Sequence, residues 1–152
     1  MKRLLLIGLL PLVIGILYNA ILVRFTVSGL IQSVLAVGLL IVWGYLAYIL
    51  LPDGLNFFLA SFFMCSFGLI MLILNLYQSV IVGEYWSNVM GLGSQLFFLP
   101  WVAINSSIVV PIITLFRGTI TVLPIFSLTW IELYVVACTG CYIKSRKTHD
   151  LH

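Results

Sequence analysis

Residues 83–107 read GEYWSNVMGLGSQLFFLPWVAINSS, and how this stretch is folded decides how many times the chain crosses a membrane. It follows the longest apolar run in the chain and contains Glu84, one of four acidic residues. Aromatics, amides, glycines and a proline are mixed here over more than twenty residues, whereas the flanking sequence is almost unbroken hydrocarbon.

The wider composition sets the class. Of 152 residues, 63% are hydrophobic and 7% charged, with a mean hydropathy of +1.26. A soluble domain carries roughly 25% charged residues, so this chain has too few to cover a water-facing surface. It reads as an all-α, polytopic integral membrane bundle forming a single transmembrane domain over 1–152. The small net charge of +3 comes from basic residues near the two ends. It therefore speaks to topology and to lipid headgroups, with no nucleic-acid partner expected.

Working outward from the central stretch, four spans are expected at about 4–23, 27–51, 55–82 and 119–143. Each is long enough for the ~30 Å hydrocarbon core at ~1.5 Å per residue. Pro11 should kink the first span. Lys2 and Arg3 ahead of an apolar run resemble a signal sequence, but Tyr18 sits where cleavage before Ala20 would want a small residue, so the run is read as an uncleaved span. Leu51-Pro52-Asp53-Gly54 is a turn. Lys144, Arg146 and Lys147 close the last span.

Residues 95–116 are apolar enough to span but carry Pro100, Asn105, Ser106, Ser107 and Pro111. If they do not span, Lys2, Arg3, Lys144, Arg146 and Lys147 share one side, leaving Arg24 and Arg117 on the other. If they do, the positives divide four against three. The positive-inside tendency favours the first arrangement: four spans, 83–118 as an external re-entrant or interfacial segment, and both ends cytoplasmic in a bacterial plasma membrane. The alternative is five spans.

Mostly small or polar residues recur along the spans: Gly8 and Gly15; Gly29, Ser33, Ala36, Gly44 and Ala47; Ser61, Cys65, Gly68, Leu72, Asn75 and Ser79. Such stripes let helix backbones approach closely in lipid, where packing drives association.

Few groups are equipped for chemistry. Glu132 lies about twelve residues before Lys144, roughly 18 Å deep in a helix. A carboxylate there costs on the order of 2.5–3.5 kcal/mol on insertion scales, so it is expected to be protonated or to have a partner. Asn75, Gln78 and Gln32 are the candidates, with Arg117 if the external segment folds inward. Such a group serves as a proton or cation relay, as a polar ligand contact, or as a hydrogen bond that fixes helix register. Glu84, Tyr85, Trp86, Asn88 and Trp101 form a candidate external recognition segment, though Trp and Tyr also gather at headgroup depth without any binding role. Cys138 and Cys141 make a CxxC, but a redox relay would want a second cysteine pair and Cys65 stands alone. A zinc site from these thiols and the tail histidines has loose ligand spacing. No metal or cofactor is expected, and no phosphate loop, Ser-His-Asp set or HExxH helix occurs. The expectation is therefore an accessory, regulatory or assembly subunit that acts through a membrane-protein partner or as a homo-oligomer in the bilayer. The alternative is a small transporter or channel subunit using Glu132. An enzyme comes last.

Overall fold

The computed structural model describes residues 2–52, 54–82, 89–116 and 121–149. These form helices α1 (Lys2–Ile7), α2 (Leu10–Arg24), α3 (Gly29–Leu50), α4 (Phe57–Tyr77), α5 (Val89–Leu115) and α6 (Val122–His149), with no strand among the described residues. The fold is an all-α helical bundle. Among the described residues five helical stretches are long and apolar enough to cross a membrane: Arg3–Arg24, Gly29–Leu50, Phe57–Ile81, Gly91–Leu115 and Val122–Lys147.

Local sequence explains where the helices break. Pro11 has no amide hydrogen and its ring crowds the preceding turn, so the first stretch is interrupted at Gly8-Leu9 and restarts with Pro11 in the opening turn of α2. Ser28 caps α3, its hydroxyl accepting from the Ile31 amide at 3.5 Å. Asn56 caps α4, its Oδ1 accepting from the Phe58 amide at 2.9 Å. Between them Gly54 takes φ +78°, which only a glycine adopts without strain. A π-helical turn, Gln78–Val82, widens the end of α4. There the polar stripe formed by Ser61, Cys65, Gly68 and Asn75 continues inward at Gln78, while Ser79 faces out.

Contacts order the helices. Gly44 meets Val136 and Gly140, Cys141 bonds to Ala47, and Lys144 bonds to Ile49 and Leu51. These pairs advance together along both helices, so α3 and α6 are parallel. Phe57 meets Tyr142, whereas Gly68 meets Trp130, so α4 is antiparallel to α6. The four-residue connection 25–28 holds the end of α2 near the start of α3. The start of α1 and the end of α6 thus lie at one end of the bundle, and Arg24 lies at the other.

This arrangement singles out α5. Both the end of α4 and the start of α6 lie at the Arg24 end, so α5 is connected to that end on both sides. At 27 residues it is about 40 Å long, while the six residues between Leu115 and Val122 reach at most about 24 Å. It therefore cannot run beside α6 over its whole length. It crosses the bundle obliquely instead, packing on α2, α3, α4 and α6. Its middle is well buried, through Phe97, Phe98, Trp101 and Asn105, and its last turns emerge at Ile112, Leu115 and Phe116. Pro100 and Pro111 sit within it without ending it. Membrane helices tolerate such prolines where neighbouring elements surround them.

The stretch expected to be an external segment is thus, in its described part, one continuous helix that enters the bundle. It has the length and composition of a fifth span, while α4 before it ends, and α6 after it begins, at the Arg24 end.

Candidate functional site

The interior is built around α5. Phe98 stacks on Phe126 of α6 at 4.7 Å between ring centroids, and Phe97 meets Phe98 edge-on at 4.9 Å. One turn along the same face comes Trp101, 1% exposed, and one turn further Asn105, fully buried. The Asn105 amide Nδ2 donates to Thr129 Oγ1 and to Glu132 Oε2, both at 2.8 Å. Thr129 in turn donates to the Ile125 carbonyl at 2.9 Å. Thr129 and Glu132 lie three residues apart on α6, so both present to α5. Glu132 itself is half-buried. The side-chain oxygen of Asn105 and the indole nitrogen of Trp101 have no hydrogen-bond partner among the described residues.

Glu132 is therefore held by Asn105, a residue the sequence reading placed in the external segment. The candidate partners Gln32, Asn75 and Gln78 are elsewhere. The Gln32 amide donates to the Val27 carbonyl at 2.9 Å, at the Arg24 end. Asn75 and Gln78 are buried on the far side of Gly68 along α4, well below the level of Glu132. Arg117 lies outside the described residues. The signal that would have found Asn105 is its place within an apolar run of span length: once 95–116 is a helix, an amide at its centre needs an internal partner.

The recognition segment divides. Glu84, Tyr85, Trp86 and Asn88 lie outside the described residues. Trp101 does not belong to an external surface, because it is sealed in the bundle. Ser106 and Ser107 donate to carbonyls of their own helix, Ala103 and Ile104, as hydroxyls in apolar helices do.

Other polar groups link helix to helix. Trp43 Nε1 donates to the Leu133 carbonyl and Trp130 Nε1 to the Cys65 carbonyl, both at 3.1 Å. Ser94 donates to the Met71 carbonyl at 3.1 Å. All three thiols are free, and Cys141 Sγ donates to the Ala47 carbonyl at 3.4 Å. Among the described residues no group of three or more His, Cys, Asp or Glu side chains is placed to hold a metal ion. Lys144 Nζ donates to the Leu51 carbonyl at 2.6 Å and the Ile49 carbonyl at 3.3 Å, which satisfies the carbonyl end of α3. Arg146 lies 5.5 Å from the Tyr142 ring centroid.

Chemically, the Asn105–Thr129–Glu132 set is a hydrogen-bonded polar patch with one ionisable group, able to pin α5 against α6 or to exchange a proton. No family profile, curated protein or solved structure matches the chain.

Proposed function

We propose that this is an accessory, regulatory or assembly subunit of a bacterial plasma membrane that acts through membrane-protein partners. The observation that carries the reading is the use of the interior polar groups: Trp43, Ser94, Asn105, Trp130 and Cys141 each bond to a neighbouring helix. Interhelical bonds of this kind hold a scaffold together, which leaves the outer surface for recognition. Arg3, Arg146 and Lys147 lie at one end of the bundle, with Lys144, and by the positive-inside tendency that end is cytoplasmic.

Affinity purification of the C-terminally tagged protein from native membranes in mild detergent tests this. A stoichiometric membrane-protein partner is the expected result. Recovery of the protein by itself, or only as a homo-oligomer lacking any other subunit, would overturn the accessory role.

A second reading is a small transporter or channel subunit in which Glu132 carries a proton. It is favoured by the half-buried position of Glu132, which is not sealed as Asn105 is. Glu132→Gln separates the two. The amide keeps an acceptor for Asn105, so a register bond predicts a variant that folds and retains its partner, within about 0.5 kcal/mol of the parent. Glu132→Leu should lose about 0.6 kcal/mol and at most about 1.7 kcal/mol, the average and the maximum that double-mutant cycles give for hydrogen bonds between membrane helices. Loss of proton-coupled flux in a folded Glu132→Gln variant would favour transport.

A further inference from the structure

At the Arg24 end, the connection between α2 and α3 borders a surface-open cavity of about 350 Å³, lined by Leu22, Val23, Arg24, Phe25, Thr26, Val27 and Gln32. We propose that this cavity binds the phosphate of an anionic lipid headgroup, with Arg24 as its charged ligand.

Among the described residues the lining offers three side chains with donors, Arg24, Thr26 and Gln32, and no carboxylate. Arg24 supplies a guanidinium, which has donors only and matches phosphate oxygens as a fork. Thr26 adds a hydroxyl. Gln32 adds an amide whose orientation is fixed by its bond to the Val27 carbonyl at 2.9 Å. The adjacent start of α3 adds the positive end of a helix dipole.

Charge use elsewhere sharpens the contrast. Lys144, at the opposite end, is engaged by the terminal carbonyls of α3, and Arg146 lies over Tyr142. Arg24 makes no ion pair or side-chain hydrogen bond among the described residues, and it borders a cavity of headgroup size.

The surroundings favour a lipid over a free ion. Val23 and Phe25 flank Arg24 and are among the most exposed apolar side chains of the chain. A site at the end of a membrane-length helix sits at headgroup depth. An amphiphile would place its phosphate on Arg24 and its acyl chains along Val23 and Phe25.

The test uses the purified full-length protein in non-ionic detergent. The probes are dihexanoyl phosphatidylglycerol, dihexanoyl glycerol lacking the phosphate, and inorganic phosphate, each titrated while thermal unfolding is followed. Phosphatidylglycerol should raise the unfolding temperature saturably, and dihexanoyl glycerol should not. In Arg24→Gln its apparent Kd should weaken about fivefold, which corresponds to the ~1 kcal/mol that one basic residue contributes at an anionic lipid surface. Arg24→Lys should retain part of that affinity, and Arg3→Gln, at the opposite end, should leave it unchanged. Competition by inorganic phosphate would support the phosphate site and extend it to a free ion, while its absence would support a lipid-specific site. Equal affinity in the parent and Arg24→Gln, equal loss in Arg3→Gln, or an equal response to the phosphate-free lipid would each overturn the proposal.

Discussion

Gly15→Leu and Gly140→Leu should each abolish recovery of folded protein, whereas Gly29→Ala and Gly38→Ala should be recovered at or slightly above the parental level. A side chain at position 15 would start inside the backbone of α5. Its Cβ would overlap the Leu96 carbonyl oxygen and stand 2.6 Å from the carbonyl carbon. A Cβ at position 140 would overlap the Gly44 carbonyl oxygen and lie 3.1 Å from the Tyr48 amide nitrogen. Neither obstacle is a flexible side chain, so the helices would have to separate. Overpacking a core costs about 1–3 kcal/mol where neighbours can adjust, and backbone against backbone leaves little adjustment. Separation would also remove the close packing that holds membrane helices together, since lipid offers no hydrophobic gain in return. At Gly29 and Gly38 an added Cβ meets nothing within 4 Å, and alanine favours the helix by up to about 1 kcal/mol. Unfolding curves in detergent for the four variants provide the check. Parental stability in Gly15→Leu would mean that α2 does not rest on α5.

Trp101→Ala should be the most damaging large-to-small substitution in α5. Trp101 is the largest of the fully buried side chains, and truncating a buried tryptophan costs about 3–5 kcal/mol through the cavity left behind. The substitution also separates two uses of the same residue. If Trp101 belonged to an external recognition surface, Trp101→Ala would unfold normally and lose a partner. Buried beside Phe97 and Phe98, it should instead lower the unfolding temperature sharply. Tyr45→Ala, at a position 62% exposed on α3, should change it little.

Much of the fold was legible because lipid imposes simple demands. Apolar runs of span length, the Pro11 interruption, the turn at Gly54 and the inward stripe from Ser61 to Asn75 all follow from length, backbone sterics and small-residue packing. The fate of 89–115 was not legible. Pro100, Pro111 and the Asn-Ser-Ser cluster argue locally against a helix, and local propensity yields when surrounding helices satisfy the backbone and the serines bond within their own turns. The candidate site was half legible for the same reason. Glu132 stood out as a carboxylate in hydrocarbon, but its partner Asn105 lay in the stretch read as external. Gln32, Asn75 and Gln78 are polar residues on neighbouring spans, but the sequence does not carry their depth in the bundle. The parallel run of α3 and α6 places Gln32 at the Arg24 end, and the antiparallel run of α4 places Asn75 and Gln78 below Glu132.

The most direct test is the sidedness of positions 3 and 147, because α4 ending and α6 beginning at the Arg24 end would put both on one face. Single cysteines are introduced at Arg3, Lys147 and Thr26 in a background where Cys65, Cys138 and Cys141 are replaced by serine or alanine, and intact cells are treated with a membrane-impermeant maleimide. The account predicts that positions 3 and 147 react only after the membrane is opened and that position 26 reacts in intact cells. Reaction of positions 3 and 147 from opposite faces would contradict it and make α5 a true fifth crossing.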